Sequence, residues 1–189
     1  DEAEQMSRRS LAIRRAEAYS STAVATALNN LARLLSDKGD TDGADAAYAE
    51  SIDVRRAVQG DTHVNTAITR MNLATHHMDT LRPDAACGPV TEFGPVLKGA
   101  LRESHWRRAS LGSLEGACHV HAGRYVEAEG QLMDSLAALR EARGDASREA
   151  QRAVTRVIAL YEAWDNPGEK KKYEVLRDQM RGAQRGTTP

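Results

Sequence analysis

The chain has 189 residues, enough for one ordinary domain with a buried core. Its net charge is −1, and no basic run extends beyond Lys170, Lys171 and Lys172, so nucleic acid is not expected as a partner. No apolar run approaches the roughly 18 residues of a membrane span, and no membrane partner is expected. The two cysteines, Cys87 and Cys118, make no disulfide scaffold. They read as small buried hydrophobes, and a reducing cytoplasm is the expected compartment.

Predicted elements are helical throughout. "EAEQMSRRSLAIRRA", from Glu2, reads as a single helix whose Ser10-Leu11 matches Ser51-Ile52 further on. The helix that should precede it is missing, so the chain reads as an excised piece. The next helix carries Leu28, Leu31, Ala32, Leu34 and Leu35 at helical spacing. It stops at "DKGD", where Gly39 suits a left-handed cap. A second helix follows with Ala44, Ala47, Tyr48, Ser51, Ile52 and Val54, and ends at Gly60.

This two-helix pattern recurs. A shift of 84 lays Asn29–Asp61 on Ser113–Asp145, with Gly39 on Gly123, Ala44 on Ala128 and Ser51 on Ser135. Half that shift, 42, lays Asn30-Leu31-Ala32 on Asn72-Leu73-Ala74. The period is therefore 42 residues. The expected layout is a truncated repeat over 1–21 and full repeats over 22–63, 64–106 and 107–147. A last repeat with a polar capping helix covers 148–184, and 185–189 is a frayed tail.

The small residues fall at fixed places: Ala32, Ala44 and Ser51, then Ala74 and Ala86, then Gly116, Ala128 and Ser135. These places resemble the tetratricopeptide repeat, in which small side chains let neighbouring helices approach closely. The usual repeat is about 34 residues. The 42-residue length and "TALNNLARLL" resemble the kinesin-light-chain-like subclass. The resemblance implies an all-α fold, an α-α superhelix (TPR solenoid) of antiparallel helix pairs with about nine helices in a single domain over 1–184. "SLEGACHVHAGRYVEAE" and "VIALYEAWDNP" also resemble the C-terminal repeats of bacterial serine/threonine protein kinases.

One segment departs from the pattern. "CGPVTEFGPVLKG" puts Pro89 near the expected start of a second helix, where proline is tolerated. Gly94-Pro95 falls in mid-helix, and the lone Phe93 replaces the small Ser51 or Ser135. A kinked helix whose gap Phe93 fills is the first reading. A kink that reshapes a binding surface and a break between domains are the others.

Catalytic signatures are absent: there is no G-x-S-x-G, phosphate loop or H-E-x-x-H, so no enzyme activity, catalytic residue or cofactor is expected. His76, His77, Cys118, His119 and His121 are the best metal candidates. Their spacing reads instead as histidines in the helix seams, and no metal is expected.

The resemblance implies a concave groove lined by first helices and filled by a peptide or partner helix. The register assigns to it Asn29, Arg33, Ile68, Met71, Thr75, Met78, Ser113, Ala117, Val120 and His121. Its middle is apolar, and Arg33 and Arg152 are its only cations, so a two-carboxylate clamp is not expected. Three roles follow: a non-catalytic protein-interaction module, a regulatory or sensory appendage of a larger bacterial signalling enzyme such as a kinase, or self-association of a homo-oligomer through the open N-terminal repeat.

Overall fold

A computed structural model describes residues 4–9, 12 and 22–185. Residues 4–9 are helical, and eight further helices follow: α1 (Thr22–Lys38), α2 (Thr41–Gln59), α3 (Val64–Asp79), α4 (Pro83–Ala100), α5 (Trp106–His121), α6 (Tyr125–Arg143), α7 (Arg148–Ala163) and α8 (Pro167–Arg185). No strand occurs among the described residues. The fold is all-α, built of helix pairs in series. The expected truncated repeat over 1–21 and the tail after Arg185 lie largely outside the described residues.

Two compact units can be distinguished along the chain, 1–100 and 101–189. In the first unit α1 packs on α2 and α3 on α4, while α2 and α1 both touch α3. The second repeats this scheme: α5 packs on α6 and α7 on α8, with α6 and α5 both against α7. The first core gathers Leu28, Leu31, Leu35 and Tyr48 around the small Ala32 and Ala44. The second gathers Leu132, Leu136, Leu139, Val154, Val157 and Tyr161, closed by Met180 of the capping helix. Each core is one apolar stripe per helix turned inward, which is what the 3.6-residue spacing of these side chains requires.

The 42-residue period is written into the turns. Asp40, Arg82, Arg124 and Asn166 each donate a backbone N–H to the carbonyl five residues back, at 2.8–3.0 Å. The residue just before each donor is left-handed: Gly39 at φ 81°, Leu81 at 59°, Gly123 at 72° and Asp165 at 54°. This is the Schellman closure, and it favours glycine because a Cβ is strained there. Leu81 takes the strain while remaining 89% exposed, so its side chain contributes almost no burial. Leu81→Gly is therefore expected to stabilise the fold by about 1 kcal/mol. In a thermal melt that is a rise of roughly 2–4 °C. An unchanged or lower Tm would show that the turn is not strained.

The starts of the first helices share a second device. His63, His105 and Ser147 stand 42 residues apart and each caps its helix. The Nδ1 atoms of His63 and His105 accept the N–H of Asn65 and Arg107 at 3.1 Å, and Ser147 Oγ accepts that of Ala150 at 3.2 Å. Serine is an ordinary cap. Histidine serves here because its unprotonated ring nitrogen offers the same acceptor.

Helix α4 begins at Pro83, six residues before Pro89. That corrects the expectation that Pro89 sits in the first turn: the N1 place belongs to Pro83, as it does to Pro167 in α8. Pro89 lies in the second turn and leaves the Ala85 carbonyl without its helical donor. His77 Nδ1 approaches that carbonyl at 3.2 Å. A carbonyl only accepts, so with a proton on Nδ1 the His77 ring on α3 supplies the bond that Pro89 cannot. The helix runs unbroken through Pro95 to Ala100. Both prolines are exposed, whereas Phe93 and Gly94 between them are buried.

Candidate binding surface

Within each unit a polar bridge at the same register joins the first helices. In the first unit Asn72 Nδ2 of α3 donates to Asn29 Oδ1 of α1 at 2.9 Å. In the second, Arg156 Nη1 of α7 donates to Ser113 Oγ of α5 at 3.2 Å. Both pairs are 43 residues apart, one period plus one, and Ser113 and Arg156 stand 84 residues after Asn29 and Asn72. The two bridges differ in access. Asn29 and Asn72 are half-buried, while Ser113 is 1% and Arg156 9% exposed. The amide bridge itself uses neither Asn72 Oδ1, an acceptor, nor Asn29 Nδ2, a donor.

Around that amide pair the surface is mixed. Arg33 is exposed one turn along α1, and Ile68, Thr75 and Met78 are half-buried on α3. Ser36 of α1 and His76 of α3 add a second link, with Oγ 2.7 Å from Nδ1. Burial pushes the His76 imidazole below its ordinary pKa against the pull of Asp45, which favours the neutral ring.

Not every residue assigned to the groove is within reach of a partner. Met71 is 3% exposed and packed into the first unit. Ser113 is consumed by Arg156, and Ala117 is 8% exposed. These three face the packing and not solvent, because the inward stripe of a helix that touches neighbours on two sides is wider than a single register row. Val120 is half-buried and packs at the edge of the second core, and His121 is exposed.

The histidines are tied into structure. Asp45 at the start of α2 gathers Arg82 Nη1 at 2.5 Å, His77 Nε2 at 3.1 Å and His76 Nε2 at 3.4 Å. Burial pushes the Asp45 carboxyl up, but the Arg82 bond and the neighbouring positive charge outweigh it and hold the group below its ordinary value. The cluster fastens the start of α2 to the end of α3. His119 lies under Arg124, whose Nε donates to its Nδ1 at 3.0 Å. Among the described residues no group of three metal-ligating side chains is placed to hold an ion.

The cysteines require a correction. Each is half-buried and disulfide-bonded, so neither is a free thiol. Disulfides persist in oxidising surroundings. The ground on which the sequence favoured a reducing compartment is therefore removed.

A family model for the tetratricopeptide repeat matches residues 23–86, which span α1, α2, α3 and the opening of α4. Residues 23–86 therefore carry tetratricopeptide repeats. Solved TPR structures share the fold. A kinesin-light-chain-type protein of nearly identical TPR-like repeats from Podosopora anserina superposes with a TM-score of 0.63 at 16% identity, over 99% of this chain and 88% of that one. A point variant of that protein gives 0.64 at 17%, covering 98% and 87%. BtubC (BKLC) from P. vanneervenii gives 0.59 at 16%, covering 98% and 92%. No curated protein matches the sequence. TPR repeats mediate protein–protein interaction and are typically non-catalytic scaffolds. No described helix is long and apolar enough to cross a membrane.

The sequence pointed to Asn29 but missed its partner. Asn72 appeared in the alignment under Asn30, one residue out of register, and only a bridge spanning one period plus one pairs it with Asn29.

Proposed function

We propose that the chain is a non-catalytic interaction module that holds a peptide or helix against α1 and α3 of its first unit. The observation that carries this reading is the half-open Asn29–Asn72 amide bridge. An extended ligand presents alternating N–H and C=O groups, and a side-chain amide meets either kind. Ile68 and Met78 add apolar contact beside the bridge, and Arg33 marks its polar edge. The buried Ser113–Arg156 bridge offers no comparable opening in the second unit. The same docking role suits a chain that acts alone and one that serves as the appendage of a larger signalling enzyme.

The test is selection of linear peptides on the immobilised chain from a random display library, followed by affinity measurement on the best binder. The double variant Asn29→Ala with Asn72→Ala removes both bridge partners, so no buried group is orphaned and helicity is expected to hold. Losing two ligand hydrogen bonds at about 1 kcal/mol each weakens binding roughly 30-fold. Equal affinity of wild type and variant would place the ligand elsewhere.

A further inference from the structure

Arg55 of α2 stands where the repeat calls for a leucine. Its register equivalents, 42 and 84 residues on, are Leu97 and Leu139, at 0% and 1% exposure. Arg55 itself is only 8% exposed. Its guanidinium meets neutral oxygens alone: Nη2 donates to Thr26 Oγ1 at 3.1 Å and Nη1 to Gln59 Oε1 at 3.4 Å. Nε is buried with no hydrogen-bond partner. None of the ion pairs among the described residues involves Arg55.

A guanidinium stays charged in proteins, and its planar fork fits two oxygens of one oxyanion. Burying that charge without a counter-ion is unfavourable, whereas a leucine at this place packs without cost in the sister repeats. Thr26, which holds Nη2, is exposed on α1, so the residue that covers the buried guanidinium is itself open to a ligand. The Thr26 hydroxyl gives its proton to the Thr22 carbonyl at 2.8 Å, and can turn it to a ligand instead.

We propose that Arg55 and Thr26 form a binding site for an oxyanion, either a carboxylate or a phosphate. The ligand oxygens take the place of the Thr26 and Gln59 acceptors and supply the missing negative charge. The site lies one helical turn from Asn29 but does not depend on peptide docking, because a free ion suffices to fill it.

The test compares thermal melts of wild type and Arg55→Leu in inorganic phosphate and, separately, in acetate, at one pH and at an ionic strength balanced with chloride. Without either anion the variant is expected to melt higher, since the leucine matches its sister repeats. Wild-type Tm is expected to climb with the bound anion, while the variant's stays flat. A response to phosphate alone assigns the site to phosphate, and a response to acetate assigns it to carboxylate. Equal responses of the two proteins, or no response in wild type, would overturn the proposal. If Arg55→Leu does not fold, Thr26→Val serves in its place. It is expected to raise the half-saturating anion concentration several-fold, and an unchanged value overturns the proposal equally.

Discussion

Phe93→Ala is expected to cost about 4 kcal/mol of unfolding free energy, the largest loss of any single truncation in α4. Phe93 is the chain's only phenylalanine and is 1% exposed. It stands at a place where the neighbouring repeats carry serine. Ser51 there donates to the Ala25 carbonyl at 2.7 Å, so the sister position is a close polar contact between two helices. A ring at this place needs more room. Truncating it removes a large buried apolar surface and leaves a cavity that the two flanking prolines, fixed in φ, help to keep open. Urea unfolding of the variant gives the value. A loss below about 1 kcal/mol would mean that the helix collapses onto the smaller side chain and that Phe93 is not the filler of this segment.

The second large effect lies in the other unit. An added Cβ at Gly116 of α5 would stand 2.7 Å from Leu132 Cγ and 2.9 Å from Cδ2, and Leu132 is fully buried in α6. Gly116 occupies the register of Ala32 and Ala74, so this is the one repeat in which even a methyl does not fit between the pair. Gly116→Val is expected to cost about 3 kcal/mol through overpacking. Gly130→Ala is its control. That glycine lies inside α6 with nothing within 4 Å of its Cβ direction, and the change should stabilise by about 1 kcal/mol. If both variants moved in the same direction, helix propensity would govern the outcome instead of the α5–α6 approach.

Much of the architecture was legible because it depends on backbone geometry that sequence states directly. The left-handed residues closing α1 and α5 are Gly39 and Gly123, both visible as glycines. Their equivalents Leu81 and Asp165 take the same conformation under other names, so only the period reveals them. The histidine caps were hidden for a different reason. His63 and His105 use a ring nitrogen in a role usually given to serine, threonine, aspartate or asparagine, and no local pattern marks them. Their link to Ser147 appears once the three are read at a spacing of 42.

The surface was harder to read than the fold. A register row assigns one face to each helix, but α3 is pressed by both α2 and α1, and Met71 turns into that packing. Ser113 looked like an open polar contact and is instead the buried acceptor of Arg156. Arg55 carried a signal that composition could not give: it is unusual only beside Leu97 and Leu139.

The central claim is that a ligand docks on α1 and α3 across the amide bridge. It is tested most directly by following the side-chain amide resonances of Asn29 and Asn72 while a selected peptide is titrated in. Docking at the bridge predicts that both amides shift and saturate at the peptide's measured Kd. Two amides that stay unmoved while the peptide is fully bound would contradict it.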